Sequence, residues 1–408
     1  MKSIFNIITR EIKFIFSSKL YIFLLFVFPV ADCLFLSGIY ISGTLTKLPI
    51  AVIDEDNSKM SRTIIRYFDA SSDMEVKYRL SNIPQLQDLL IKQKAVLGLY
   101  IPKGLQNNIK KQVPQNLIIF TNASNFVAAN IADTDASTII ATIEAGIKYQ
   151  VLAKKGFSQQ QALELVQMIR NDNMKLFNPA LNYNVYLTPG LWLSVLHQLL
   201  ILFGTLSLAK EFELKTIRKM YETANKSVLN VLTGKIILYM GIAFIHFEIL
   251  YRFLFPFFGI EFYHWDTPTM AISVSLFLAA LSLGFLLSAA LRNCSNALKG
   301  CLLISAPAFL LSGYTFPIET MPRPLQLFVQ IIPLTPFLEG FKKIYQQNLG
   351  INYIYPYIFH LLILAFVFFV FAYICLNISV KKEMQKQINE NENSAQDLDE
   401  AEETNEND

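Results

Sequence analysis

Apolar runs long enough to cross a bilayer recur at 20–42, 188–209, 230–255, 269–291, 297–315 and 354–377. A helix needs roughly 20 apolar residues to cross the hydrocarbon core, and each run supplies about that number. None alternates apolar and polar positions as a membrane-barrel strand does. The residues before the first run are patterned differently. Ile4, Phe5, Ile8, Ile12, Ile15 and Phe16 fall on one face of a helix, with Asn6, Arg10, Lys13 and Ser17 on the other. Residues 1–19 therefore predict an amphipathic elbow helix at the membrane surface, its basic face toward anionic headgroups.

Between the first two runs the pattern becomes that of a soluble α/β domain. Short β-rich stretches predict strands at 49–53, 75–80, 96–101 and 117–121. The second alternates, with Val76, Tyr78 and Leu80 apolar and Glu75, Lys77 and Arg79 polar, so it is half-buried or at an edge. Helices are predicted at 57–69, 84–94, 103–112, 128–155 and, capped by Ser158, 159–172. In the first of these Met60, Ile64, Ile65 and Phe68 share a face behind a cap at Asp56 or Ser58. Asp54, Glu55 and Asp56 lack the alternating ligand spacing and the Gly of a calcium loop, and read as a strand-to-helix turn. Residues 43–187 contain no His and no Ser/His/Asp set, which argues against an enzyme.

Composition agrees with the pattern. At 53% hydrophobic and 16% charged residues, the chain is a membrane protein with one sizeable soluble portion. A net charge of +3 points to no nucleic-acid partner. The first run is too long for a cleavable signal, and no small-residue cleavage site follows it. Cys33, Cys294, Cys301 and Cys375 all lie in or beside apolar runs, so no disulfide framework supports the soluble portion.

Basic residues orient the spans. Lys2, Arg10, Lys13 and Lys19 precede the first; Lys210, Lys215, Arg218, Lys219, Lys226 and Lys235 lie between the second and third. Arg292 and Lys299 flank the turn between the fourth and fifth, and Lys381, Lys382 and Lys386 follow the sixth. The short loop at 257–268 carries Glu261 and Asp266 but no Lys or Arg. The positive-inside rule places both termini in the cytoplasm and 43–187 outside. The expected fold is thus a polytopic α-helical membrane protein of six transmembrane helices, with an extracytoplasmic α/β domain inserted between helices one and two. In 314–350, Pro317, Pro322, Pro324, Pro333 and Pro336 forbid one continuous helix and predict a pair of re-entrant or interfacial half-helices. The acidic tail, 378–408, reads as disordered from 383.

In this order the segments resemble the permease subunit of ABC exporters of the second type, the drug and efflux group with a large outer domain. PIAVIDEDNSKMSRTIIRYFDAS resembles the start of that domain, and LFNPALNYNVYLTPGLW its return into the membrane. KEFELKTIRKMYETANKSVLNVLTGKI resembles the segment that receives the ATPase, and YTFPIETMPRPLQ followed by IIPLTPF the outer gate region. The resemblance covers almost the whole chain except the tail. Two departures stand out: Lys215 replaces a common Gly before the coupling Thr, and Ala224-Asn225 a common Pro.

The resemblance implies ATPase-coupling residues Lys210, Glu211, Glu213, Lys215 and Thr216 on a solvated surface, within a coupling segment 209–229. It implies an apolar outer gate at Phe316, Pro317, Met321 and Pro322. The chain has no phosphate-binding loop, since Gly234-Lys235 lacks the upstream Gly and is followed by Ile. ATP and Mg are therefore expected on a separate cytoplasmic ABC ATPase subunit, and no cofactor or metal on this chain. A second permease, identical or paralogous, completes the pathway, and the outer domain guides substrate or engages a periplasmic membrane-fusion adaptor. The setting is a bacterial inner membrane, and the function is export of an apolar or amphipathic substrate from the cytoplasm or inner leaflet. The competing reading is a membrane-anchored sensor or mechanotransmission subunit that works with an ATPase without carrying substrate.

Asp32, His197, His246, Glu248 and Arg252 lie within spans, where ionisable groups are expected to be paired and to face a cavity or the bundle. Glu248 and Arg252 stand one turn apart and satisfy each other. Asp32 has no partner in its own helix, and is expected to face the dimer pathway and to pair with His246 or His197.

Overall fold

The computed structural model describes residues 2–41, 43–166, 176–178, 182–262 and 266–406, with side chains as far as Gln385. Parts of three expected segments lie outside the described residues: 167–172 of the helix expected at 159–172, 179–181 of the return into the membrane, and 263–265 of the short loop. The elements in order are α1 (Lys2–Ser17), α2 (Lys19–Tyr40), β1 (Leu48–Asp54), α3 (Lys59–Asp69), β2 (Met74–Leu80), α4 (Ile83–Ile91), β3 (Leu97–Ile101) and α5 (Leu105–Lys110). β4 (Ile118–Thr121), α6 (Phe126–Lys154), α7 (Gln159–Val166), α8 (Tyr183–Glu213), α9 (Ile217–Thr223) and α10 (Val228–Phe257) follow. α11 (Thr267–Leu291), α12 (Cys294–Leu311), α13 (Arg323–Val329), α14 (Leu334–Gln347) and α15 (Ile351–Glu406) complete the chain. It divides into two compact units, Thr44–Lys175 and the remainder.

The unit Thr44–Lys175 is a four-stranded sheet of order β2-β1-β3-β4. β1 runs parallel to both neighbours, and β4 is antiparallel to β3. β1 is apolar on both sides because both are covered. Ile50 and Val52 pack under α3 and α6, while Ala51 and Ile53 meet Leu86 of α4. A Cβ on Gly98 would sit 2.4 Å from Leu86 Cδ1, so only glycine lets α4 seat on β3. The acidic turn after β1 is structural, as its spacing indicates. Asp54 Oδ1 accepts the N–H groups of Asp56 (3.1 Å) and Asn57 (2.9 Å), and its Oδ2 the hydroxyl of Ser61 (2.7 Å). Ser58 and Ser61 cap α3 reciprocally. Asp56 accepts from Gly104 N (2.9 Å) and Gln106 N (3.2 Å) at the start of α5. Slight burial raises its pKa, but these bonds and Ser58 outweigh that and hold the carboxyl below its ordinary value.

Among its described residues, the other unit holds six helices long and apolar enough to span a membrane: α2, α8, α10, α11, α12 and the first part of α15. α8 and α11 form its centre and are the most buried. They touch backbone to backbone at Gly204 and Gly284, where a Cβ on Gly284 would lie 2.5 Å from Ile201 O. α2 and α10 each contain one wider π turn, at Phe23–Val27 and Ile249–Leu254. The Pro-broken segment forms α13 and α14, with a 3₁₀ turn at Ile318–Thr320 before them. α15 departs from expectation. Its backbone stays helical to Glu406, past the residue-383 limit where disorder was expected. Lys, Glu, Gln and Ala, frequent in this stretch, favour a helix by intrinsic propensity.

Candidate functional site

α1 is not simply a helix lying on a surface. Ile7, Glu11 and Ile15, four residues apart, form its buried face, with the carboxylate between two apolar side chains. That face lies on α10, and Gly234 permits the approach, since a Cβ there would sit 2.9 Å from Ile7 Cγ2. Next to Gly234, Lys235 extends its ammonium to Glu11 Oε2 at 2.5 Å and to the Ser207 carbonyl of α8 at 2.9 Å. One turn further, Tyr239 donates its hydroxyl to Glu11 Oε1 at 2.8 Å. The Lys235 and Glu11 side chains are 0% and 2% exposed. A charge pair so buried persists only with its remaining hydrogen-bonding capacity filled, and here both carboxylate oxygens are used.

The preceding residue of α1 reaches a different helix. Arg10 donates through both terminal nitrogens to Glu211 of α8, Nη2 lying 2.9 Å from Oε2. Thr216 Oγ1 donates to the same Oε2 at 2.5 Å. Burial works against the Arg10 charge, but the hydrogen bond and attraction of Glu211 outweigh it and hold its pKa above the ordinary value. Lys210 Nζ sits 4.4 Å from the Tyr21 ring centroid. Arg10 and Glu11 thus clasp α1 to the ends of two spans and to the turn that starts α9.

This geometry divides the expected coupling residues. Glu211 is buried and Thr216 half-buried, both consumed by the clasp; Glu213 and Lys215 are exposed, and Lys210 is partly covered. Glu211 is therefore not on a solvated surface, because Arg10 desolvates it. Lys215 has φ +55°, and α8 ends with Thr216 N bonded to Glu211 O (2.9 Å) and Lys215 N to Phe212 O (3.2 Å). That is a Schellman ending, whose left-handed position favours glycine.

At the other end of α8, Tyr186 and Tyr314 exchange bonds: each hydroxyl donates to the other's carbonyl, at 2.5 and 2.6 Å, and the rings stack. Gly190 makes room, since a Cβ there would sit 2.6 Å from the Tyr314 ring. Of the expected gate residues, only Met321 is buried, packed with Ile318 and Val329; Phe316, Pro317 and Pro322 are exposed. The chain alone therefore contains no closed constriction at these four positions. Gly313, at φ +80°, turns the chain so that Ile318 packs back on it, drawing Met321 inward and leaving Phe316 outside.

The intramembrane groups also depart from expectation. His246 Nε2 lies 2.7 Å from Leu25 O and Nδ1 2.9 Å from Ile242 O, so the ring serves backbone and not Asp32. Pro29, four residues on in α2, has no N–H to give the Leu25 carbonyl, which leaves it free for this contact. His197 is fully buried, and neither ring nitrogen has a partner among the described residues. Asp32 is half-buried and makes no hydrogen bond or ion pair among the described residues. Glu248 and Arg252 do meet, at 3.9 Å, with Arg252 largely exposed. No cluster suited to a metal ion occurs among the described residues.

Comparison with known proteins gives this arrangement a family. The signature of the ABC-2 family transporter proteins matches residues 19–374. The chain belongs to the ABC-2 family. It is 24% identical over 325 residues to the probable multidrug ABC transporter permease YbhR of Escherichia coli (strain K12), covering 78% of this chain and 83% of that one. It is 23% identical over 359 residues to the linearmycin resistance permease protein LnrN of Bacillus subtilis (strain 168), covering 84% and 91%. The clasp therefore belongs to a membrane permease subunit of an ABC transporter, a class that works with an ABC ATPase. In this ABC-2 chain the sequence pattern did not reveal Glu11, Tyr239 or the Tyr186–Tyr314 exchange. One signal was present for the first pair: two opposite charges, Glu11 and Lys235, each stand among apolar neighbours where an isolated charge is costly.

Proposed function

We propose that this ABC-2 permease exports an apolar or amphipathic substrate across a bacterial inner membrane, driven by ATP on a separate ABC ATPase subunit that also carries the Mg ion. The basic loops place the α1/α9 end in the cytoplasm and residues 44–175 outside. A second permease subunit lines the pathway, and exposed Phe316, Pro317 and Pro322 close the outer gate against their counterparts in it. The observation that carries the reading is the clasp of Arg10 on Glu211 and Thr216, beside exposed Glu213 and Lys215. A push on α9 is handed through it to α1, α8 and α10 together. The two relatives, named for multidrug transport and linearmycin resistance, support a transport role.

The test is reversal of the exposed charges, Glu213→Lys with Lys215→Glu. Folding should be preserved, because neither side chain is buried. The ATPase should no longer co-purify, or should hydrolyse ATP without transport. Normal co-purification together with normal transport would refute the assignment of this surface.

A further inference from the structure

The helix α6 outruns the core of its own unit. Its first half packs Ala128, Ala132, Ala136 and Ile139 beneath the sheet. Ile143 still touches that core, but Ile147, Val151 and Leu152 lie beyond it. These residues continue one apolar stripe along the helix. Facing them are Leu105 and Ile109 of α5 and the connection from Val113 to Leu117, with Leu165 of α7 at one side. The space between measures about 920 Å³. That lies within the roughly 300–1,000 Å³ range of small-molecule sites, which are typically apolar with a few placed polar groups.

The polar lining defines the ligand further. Gln112, Gln115 and Asn116 bring side-chain amides to the cavity. Among the described lining residues the ionisable ones are Glu144 and Lys148, which pair with each other at 2.6 Å. A charged head would find no unpaired counter-charge among the described lining residues, whereas amides serve a neutral donor and acceptor equally well. The apolar stripe suits a hydrocarbon chain.

We propose that this cavity binds a single-chain amphiphile with an uncharged, hydrogen-bonding head, its chain along Ile143, Ile147 and Val151 and its head at Gln112 and Gln115. The proposal deepens the export reading and rests on it only for the fate of the ligand, since binding is measured without transport.

The full-length protein in phosphatidylcholine nanodiscs would be exposed to a monoacylglycerol carrying a diazirine in a sixteen-carbon chain. Cross-links would be mapped by mass spectrometry, with labelling of the spans as internal reference. The expected result is labelling of peptides within 105–117 and 140–152. Excess unlabelled monoacylglycerol should remove most of this labelling. The pair Ile143→Trp and Ile147→Trp, which fills the cavity, should do the same while leaving span labelling unchanged. A fatty acid and a long-chain amine with the same diazirine should label these peptides less. The proposal is overturned if they label no more strongly than those of β2, if competitor leaves the label unchanged, or if acid or amine labels more strongly. Cross-links from these peptides to another protein segment in place of the probe would overturn it too. Any of these failures leaves transport intact, so the result is separable from a failure of the export reading.

Discussion

Removing one member of the buried Lys235–Glu11 pair isolates a charge that no solvent reaches. In Lys235→Met, the Glu11 carboxylate keeps only the Tyr239 hydroxyl; in Glu11→Gln, the ammonium keeps Ser207 O and a neutral amide. Breaking a buried pair from one side costs about 3–5 kcal/mol. Replacing the whole set by apolar side chains of similar volume is neutral, or stabilising by about 1–4 kcal/mol. Tyr239 must be changed with the others, because its stranded hydroxyl would cost a further ~1–3 kcal/mol. Glu11→Met, Lys235→Met and Tyr239→Phe together should therefore unfold near the wild-type temperature. For a unit of a few hundred residues about 1 kcal/mol corresponds to roughly 2 °C, so each single variant should melt about 6–10 °C lower. The assay is thermal unfolding of the purified full chain in one detergent, with retention of a monodisperse peak. Single variants within about 2 °C of wild type would mean a pair that is already solvated, and a triple variant as unstable as the singles would mean a pair worth more than its desolvation costs; either result would refute the reasoning.

Lys215→Gly should raise stability by about 1 kcal/mol, because a left-handed backbone costs a side chain roughly that much; an unchanged melting temperature would speak against the Schellman ending. Gly284→Ala should destabilise by about 1–3 kcal/mol and broaden the size-exclusion peak, since its methyl meets backbone and not a movable side chain. Asp56 has its folded pKa depressed below 3.8, so its contribution is full above that value and is lost as pH falls through the folded one. Amide exchange at Gly104 and Gln106 should accelerate in that acid window for wild type, and show no such step in Asp56→Asn. Asp32→Asn should leave expression and stability unchanged, since the carboxylate has no described partner; a clear loss of stability would reveal one.

The six spans and the strands of the α/β unit were legible because each depends on its own run of residues: length and hydropathy for the spans, β-rich stretches between turns for the strands. The structural role of Asp54 followed from local spacing. The clasp was not legible in the same way. Glu11 and Lys235 are 224 positions apart, and nothing local says that Gly234 brings α1 against α10. The amphipathic pattern of α1 divided the helix into basic and apolar faces, and left Glu11 unassigned between them. Asp32 was expected to pair with His246 or His197, an expectation that treats the spans as straight helices. The π turn before Asp32 inserts a residue, which rotates everything beyond it by about 100° relative to a straight helix. Pro29, which lacks an N–H, leaves the Leu25 carbonyl free for His246. Of the expected gate residues, Phe316 is exposed and Met321 buried with Ile318 and Val329, a division made by the 3₁₀ turn between them that their closeness in sequence did not reveal. Lys215 was visible as a departure from the pattern that the family resemblance implies, and its left-handed backbone is one that favours glycine.

The central claim is that ATP hydrolysis on a partner drives substrate through this permease by way of the clasp. The most direct measurement is transport per ATP hydrolysed, in proteoliposomes holding the chain with the ATPase that co-purifies with it, for wild type and Arg10→Ala. The account predicts ATP-dependent movement of an apolar substrate by wild type. In Arg10→Ala it predicts a folded complex that still hydrolyses ATP but moves several-fold less substrate per ATP. Equal transport per ATP in the two proteins, or no ATP-dependent transport by wild type, would contradict it.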